Sequence, residues 1–252
     1  MSLTVAIIAR DEARHIGAAL ASVHGLAARV LVLLDDRTTD ASAHIATTAG
    51  AEVQRDTWIS FPAQRNRALA LCESDWLLFL DADERVSPAL AAELPAIISV
   101  SDGPAGYRIP RQNIFFGRVV RGGGWFPDHQ LRLLRCGAAR YDERVTVHET
   151  PSLTGAVADL HGHLEHLNIE RLGELWHKQR GYAIQEAHSL YRSGRRARAR
   201  NVVGAPLREF YRRFVQLRGY QDGALGLLLC GTLAYFEIIK YVHLAGIQQA
   251  KV

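Results

Sequence analysis

A chain of 252 residues, 48% hydrophobic and 22% charged, can bury one large core with an appendage, which excludes an intrinsically disordered protein. A net charge of +4 favours an anionic partner, whether phosphate, nucleic acid or an acidic membrane surface. The three cysteines, Cys72, Cys136 and Cys230, are odd in number, far apart and free of C-x-x-C spacing. They predict neither a disulfide framework nor a zinc site, and a reducing compartment fits them best.

The first residues, Met1 to Ile8, carry no basic region and no cleavage site after a long apolar core, so they read as a strand rather than a signal peptide. Leu3 to Ala9 is a continuous apolar run that stops at Arg10-Asp11-Glu12, and Ile16, Ala19, Leu20 and Val23 then share one helical face. A second buried-type strand, Arg29 to Leu34, ends in Asp35-Asp36. Helical spacing returns from Asp40 to Ala49 and is closed by Gly50. Glu52 to Arg55 is a short third strand, and Pro62 marks the start of a helix through Cys72. Trp76 to Leu80 is a fourth strand, ending in Asp81-Ala82-Asp83. Ser87 and Pro88 cap and open a helix to about Ile98. This alternation predicts an α/β fold, a mostly parallel sheet with right-handed crossovers and helices on both faces.

In such sheets ligands bind beyond the carboxyl ends of the strands. Three of the four apolar runs end in acids, at Asp11-Glu12, Asp35-Asp36 and Asp81-Ala82-Asp83, so these acids converge on one rim. Like charges crowded there repel unless a cation, a base donor or a ribose hydroxyl lies among them. Asp81 and Asp83 suit Mg2+ or Mn2+, which take carboxylate and phosphate oxygens. The competing interpretation makes them turn residues capping the next segment. No G-x-G-x-x-G follows the first strand and no phosphate-binding G-x-x-x-x-G-K-[ST] occurs, which disfavours a dinucleotide fold and a P-loop.

After Asp102-Gly103-Pro104 the pattern changes. Strands are expected at Gly106 to Pro110 and Leu131 to Arg135, separated by the loop Arg121 to His129. Its three glycines beside Trp125 and Phe126 permit close backbone approach to a ligand and offer a flat face to a sugar; an ordinary turn with core aromatics is the alternative. From Leu167 to about Ala199 the chain reads as helical. Nine arginines between Arg192 and Arg218 follow, opposed by Glu209 alone and interleaved with Phe210, Tyr211, Phe214 and Tyr220. Gly223 to Phe236 is uncharged but shorter than the roughly 20 residues of a spanning helix, so it reads as an interfacial or re-entrant helix, or else a core helix. Arginines directly before an apolar segment favour an anionic membrane surface over nucleic acid.

Together these stretches resemble the family 2 glycosyltransferases of the GT-A fold, closest to the bacterial branch that adds glucose or a related sugar to the lipopolysaccharide inner core. The resemblance is carried by Val5 to Glu12, Asp35 to Asp40, Gln64-Arg65-Asn66, Leu80 to Arg85, Gly123 to Asp128 with Gln130 to Leu133, and Val147-His148-Glu149. It covers almost the entire chain. It implies a catalytic domain over residues 1–165, with a nucleotide-sugar half to about 100 and an acceptor half from 101, and a helical, membrane-interfacial region over 166–252. It further implies that Ala9, Asp11, Glu12, Asp35, Asp36, Arg65 and Asp81 hold the nucleotide, with Asp35 or Asp36 near the uracil or ribose and Arg65 near the diphosphate. Asp83, with Asp81, binds the metal or the ribose beside it, His148 approaches the diphosphate or the metal, and Gly124, Trp125 and Arg132 belong to the acceptor side. The sequence departs from the family at Asp11, where asparagine is usual, and at Asp36-Arg37-Thr38, which replaces a small-residue turn.

The resemblance implies an inverting transfer from a nucleotide diphosphate sugar, expected to be UDP-linked, to a hydroxyl of a lipopolysaccharide-core or other lipid-linked glycan. Mg2+ or Mn2+ would neutralise the leaving diphosphate, and Asp128 would take the acceptor proton, with Glu149 as runner-up. The expected setting is cytoplasmic, peripheral to the inner membrane, with no nucleic-acid partner. A polyprenyl-phosphate glycosyltransferase competes within the enzyme class; a non-catalytic sugar-nucleotide or membrane-binding module and an arginine-dependent nucleic-acid binder compete from outside it.

Overall fold

The computed structural model describes residues 1–144 and 150–249. In chain order the elements are β1 (Leu3–Ala9), α1 (Ile16–Ser22), β2 (Arg29–Asp35), α2 (Ser42–Thr48), β3 (Glu52–Asp56), α3 (Phe61–Ala70), β4 (Trp76–Phe79), β5 (Glu84–Val86), α4 (Pro88–Ile98) and β6 (Gly106–Phe115). They continue with β7 (Arg118–Val119), β8 (Asp128–Arg135), β9 (Ala139–Arg140), β10 (Ser152–Leu153), β11 (Val157–Asp159), β12 (Leu164–Ile169), α5 (Leu172–Arg192), α6 (Ala199–Phe210) and α7 (Gly223–Gln249). Two compact units result: residues 1–111 with 129–166, and residues 112–128 with 167–252.

The first unit is built on a sheet in the order β3-β2-β1-β4-β8-β6-β12-β5. The first four positions are parallel: β1 pairs with β2 from Thr4↔Arg29 to Ala9↔Leu34, and with β4 from Leu3↔Trp76 to Ala6↔Phe79. β8 then joins β4 antiparallel, with Leu78 opposite Leu133. The mixed sheet with its flanking helices is the α/β architecture expected from the alternation. Because β1, β2 and β4 are covered on both faces, they read as unbroken apolar runs, and Val5, Ile7, Leu31, Leu33, Leu77 and Leu78 are fully buried. One face packs against α1, α2 and α4 through Ile16, Leu20, Leu90 and Leu94. The other packs α3 and Tyr141 against Ala6, Leu31, Phe79 and Leu134.

Cys72 and Cys136 lie at the edge of that second cluster and are joined as a disulfide. This corrects the sequence expectation of unpaired thiols. The two cysteines are 64 residues apart in the chain, but the antiparallel pairing of β4 with β8 brings the residues after α3 beside the end of β8. Cys230 is free and buried in the second unit.

The second unit is helical. α7 packs against both α5 and α6, burying Leu225, Leu229, Cys230, Ala234, Phe236 and Leu244. At 27 residues it is far longer than the uncharged stretch seen in the sequence, because Glu237 and Lys240 do not end it. Lys240 is buried and pairs with Glu186 of α5 at 2.9 Å and with Glu237, so its charge is neutralised inside the bundle. By length and composition, the helical stretch Gly219–Gln249 is long and apolar enough to cross a membrane. The expected helix over 167–199 instead begins as strand β12 and starts its helical run at Leu172.

Candidate active site

The acids that end β1, β2 and β4 do share one rim of the first unit, and the loops that carry them are tied together. Asp11 sits at φ 52°, in left-handed backbone, and its Oδ1 accepts the Thr39 N–H at 2.9 Å. Asp40 accepts the Ala13 N–H at 2.8 Å, while Ser42 Oγ donates to Asp40 and accepts from the Glu12 N–H at 2.7 Å. Arg85 holds the other side, donating to the carbonyls of Ala82, Glu84 and His15 at 2.9, 2.7 and 2.9 Å. The convergence shows in the electrostatics: Glu12 is pushed up to about 7 by partial burial and by the neighbouring charges of Asp83, Asp40 and Asp81, against the opposing pull of Arg85.

Asp35 and Asp36 have separate surroundings. Asp35 is buried at the end of β2, and Arg37 grips both of its oxygens at 2.9 and 2.6 Å, which holds its carboxyl well below the usual range. Asp36 is exposed and accepts from Thr57 Oγ1 at 2.8 Å. The Gln64-Arg65-Asn66 stretch lies in the first turns of α3, opened by Ser60, whose Oγ accepts the Ala63 N–H. Gln64 donates to the Thr57 carbonyl at 2.9 Å, and Asn66 exchanges two hydrogen bonds with the Tyr141 backbone at 3.0 and 2.9 Å. These locked amides present Arg65 over the rings of Phe79 and Tyr141, at 5.7 and 5.4 Å from their centres.

Asp81 and Asp83 differ in kind. The buried guanidinium of Arg132 donates to Asp81 Oδ1 at 3.1 Å and makes a second contact with Oδ2. Arg132 also reaches Glu84 Oε1 at 3.1 Å. Burial works to raise the carboxyl of Asp81, but the Arg132 charge and hydrogen bonds outweigh it and hold it below the ordinary value. Glu84, wholly buried, is raised by that burial, although Arg132 and Arg111 oppose the shift and the Asp81 N–H donates to it at 3.1 Å. Asp83 faces His166 of β12, whose Nε2 lies 3.3 Å from its Oδ2. The pairing of β5 with β12, His166↔Glu84, places that imidazole beside the acidic turn.

Among the described residues no three His, Cys, Asp or Glu side chains stand together as a ready-made metal cluster. A Mg2+ or Mn2+ ion that keeps water and substrate phosphate in its shell needs only one or two protein ligands. Asp83 with His166 supplies these, and the crowding that raises Glu12 is what a bound cation relieves, so the residues fit the group. His166, Glu84 and the anchoring part of Arg132 were not legible in the sequence. A histidine some 80 residues after the acidic pair carries no spacing signal, and an acid directly after Asp83 reads as one more polar turn residue.

In the second unit, the glycine loop is packed against its own chain. A Cβ on Gly122 would lie 2.2 Å from the Arg218 carbonyl oxygen, and one on Gly124 would lie 2.9 Å from Leu217. Gly123 and Gly124 adopt φ of 66° and 80°, which a side chain would strain. Asp222 accepts the N–H groups of Arg121 and Gly122, and Arg213 donates to the Gly123 carbonyl at 2.8 Å. Trp125 packs on Phe115 with ring centres 4.8 Å apart and lies under Arg213. Asp128 opens β8 directly after Pro127. His148 and Glu149 lie outside the described residues.

The model for glycosyl transferase family 2 matches residues 4–131. The lipopolysaccharide core biosynthesis glycosyltransferase LpsC of Rhizobium meliloti is 27% identical across 100% of this chain and 92% of its own length. The uncharacterized glycosyltransferase RP128 of Rickettsia prowazekii is 25% identical across 93% of this chain and 84% of its own. Among solved structures, residues 1–349 of S. aureus TarS, determined in complex with UDP, align with a TM-score of 0.50 and 12% identity over 100% of this chain and 91% of that one, a likeness of fold.

Proposed function

Since the chain belongs to glycosyl transferase family 2 and is a glycosyltransferase, we propose that it moves a hexose such as glucose from a UDP-linked donor to a hydroxyl of a lipopolysaccharide-core glycan, with inversion at the anomeric carbon. The observation that carries this reading is the convergence of Asp11, Glu12, Asp36, Asp81 and Asp83 at the carboxyl ends of β1, β2 and β4, where Glu12 feels the charges of Asp81 and Asp83. The full-length similarity to LpsC, named for lipopolysaccharide core biosynthesis, supports the acceptor class.

Asp83 and His166 would hold Mg2+ or Mn2+. Bound there, the cation supplies Lewis-acid neutralisation of the departing diphosphate. Arg65, fixed over two rings by its neighbours in α3, offers the diphosphate a charged donor that loses little entropy on binding. Arg132 keeps Asp81 ionised and oriented. Asp36 takes the nucleoside hydroxyls, since both oxygens of Asp35 are committed to Arg37. Asp128 accepts the proton of the acceptor hydroxyl as that oxygen attacks the anomeric carbon and the bond to the diphosphate breaks. The working place is the cytoplasmic face of the inner membrane, with the exposed arginines of the second unit against anionic lipid.

A panel of nucleotide sugars, assayed for Mg2+- or Mn2+-dependent donor hydrolysis with the Asp83→Ala protein as control, tests the reading. One UDP-sugar should be consumed by the native chain and spared by the variant. Undiminished turnover by Asp83→Ala would remove the metal assignment, and turnover of no donor would remove the transfer reaction.

A further inference from the structure

The first unit contains a cavity of about 470 Å³ whose wall includes Arg65, Arg108, His129, Gln130, Arg132 and Leu153. That volume is within the range of about 300–1,000 Å³ typical of small-molecule sites. Three guanidinium groups and an imidazole contribute to the lining, and among the described residues no carboxylate does. The rest of the described wall mixes the polar Gln130 and Thr150 with the apolar Leu131, Leu153 and Val157, so the cavity offers charge at one part and an apolar patch at another.

Arg65, the residue proposed for the diphosphate, borders the cavity, but most of the cavity wall lies apart from the acidic rim. Asp11, Asp36 and Asp83 stand at the ends of β1, β2 and beyond β4, and none of them lines the cavity. Arg108 belongs to β6, His129, Gln130 and Arg132 to β8, and Val157 to β11, which pairs with β6. In the sheet order these strands follow β4 on the side away from β1 and β2. Arg132, like Arg65, belongs to both regions. Its Nη groups hold Asp81 and Glu84, while its buried Nε finds no hydrogen-bond partner among the described residues. A buried guanidinium N–H left without an acceptor costs free energy that an anionic ligand would recover. Arg108 adds a charge that is easily redirected, because its bidentate pair with Asp159, at 2.6 and 3.1 Å, is half-exposed and thus weak.

We infer that this cavity is an acceptor subsite for an anionic sugar, one whose phosphate or carboxylate group is held by Arg108, His129 and Arg132 while its ring lies on the apolar patch. The inference rests on the reading of the chain as a transferase to a glycan, and it adds that the acceptor carries negative charge. A neutral sugar offers these donors only uncharged hydroxyl acceptors, which make weaker hydrogen bonds than a phosphate or carboxylate, so the site also favours charged over unsubstituted glycans.

The test is calorimetric titration of the full chain with glucose 6-phosphate, glucuronate and glucose, each with and without saturating UDP. At least one of the two anionic sugars should bind roughly tenfold or more tightly than glucose, in the presence of UDP as in its absence. Whether phosphate or carboxylate wins identifies the anion. Arg108→Gln, which removes only a half-exposed pair, and separately His129→Gln should each erase most of that preference and leave UDP affinity unchanged. Equal binding of glucose and the anionic sugars, or displacement of the sugar phosphate by UDP, overturns the inference; the latter would assign the cavity to the donor diphosphate. If UDP itself fails to bind, the donor assignment falls separately, and the anionic preference is judged in the titrations without it.

Discussion

Arg132 holds Asp81 from β8 with hydrogen bonds to both carboxylate oxygens, whereas Asp83, two residues on, faces the His166 imidazole at 3.3 Å. The two acids of one short motif therefore differ: Asp81 is a fixed, compensated charge, and Asp83 is the carboxylate that the proposed reading offers to a cation. The buried Glu84 behind them makes Arg132 a structural requirement as well.

Replacing Arg132 by methionine leaves Glu84 buried beside a much weaker partner, Arg111 at 3.5 Å. Removing one member of a buried pair costs about 3–5 kcal/mol, so thermal or urea unfolding should show a marked loss. Glu84 is already raised by burial in the native chain. A carboxyl raised in the folded state gives stability that is fully present below its unfolded value and lost as pH rises through its folded value. The Arg132→Met penalty should accordingly shrink on acidification, and a second change, Glu84→Leu, should restore much of the stability at neutral pH. A double variant no more stable than the single one would show that the pair is not the reason for the loss.

For the metal, the two aspartates should separate under different measurements. Asp83→Asn and His166→Gln should each weaken Mn2+ binding in the presence of UDP by about tenfold or more, the scale of loss when a ligand or its close support is altered. Asp81→Asn should appear chiefly in the unfolding midpoint, because it leaves Arg132 buried with one carboxylate fewer. Calorimetry with Mn2+ and a melting curve on the same three proteins decide the matter: identical profiles for Asp81→Asn and Asp83→Asn would contradict the division.

Glu12 gives the site a pH dependence near neutrality. Its carboxyl is raised from 4.5 to about 7 by burial and by Asp83, Asp40 and Asp81. Without metal, the folded chain holds this proton more tightly than the unfolded chain, so Glu12 favours the folded state below about 4.5 and that contribution is lost as pH rises through about 7. A cation among the acids reverses the preference and expels the proton, so Mn2+ affinity should climb between about pH 6 and 8. Glu12→Gln should flatten both profiles. A native profile with no slope over that interval would mean that Glu12 does not sense the cation.

Why some of this was legible in the sequence follows from the sheet itself. β1, β2 and β4 are buried on both faces, so each is an apolar run with a polar terminus, and the positions of Asp11, Asp36 and Asp83 at or just beyond the strand ends could be read from pattern alone. What could not be read depends on pairing between distant segments. His166 reaches Asp83 because β12 pairs with β5, and Cys72 reaches Cys136 because β8 pairs with β4; neither register has a local signal. The glycine loop shows the opposite limit. Its three glycines were expected to permit close backbone approach to a ligand, whereas the close neighbour of Gly122 is the chain's own carbonyl at Arg218, which composition does not reveal.

Under the proposed reading, membrane contact falls to a different element from the apolar stretch Gly223 to Phe236. α7 buries one face against α5 and α6 and carries the compensated Lys240, so it serves as the core of the helical unit. α6 and the π-helical turn that follows it, Tyr211–Gln216, instead expose Val203, Leu207, Tyr211 and Val215, four residues apart and 64, 66, 55 and 45% accessible. Arg200, Arg208 and Arg212 flank this stripe, and all three are exposed. An apolar stripe edged by arginines matches the headgroup boundary of an anionic leaflet. Each buried Val or Leu contributes about 1.5–3 kcal/mol when removed from water, so Val203→Glu with Leu207→Glu should reduce co-sedimentation with phosphatidylglycerol vesicles by roughly tenfold or more. Salt should weaken binding of the native chain, since the arginine contribution is screened. Retention of the doubly substituted chain on vesicles through high salt and alkaline carbonate would instead make α7 the membrane element and leave the α6 stripe without that role.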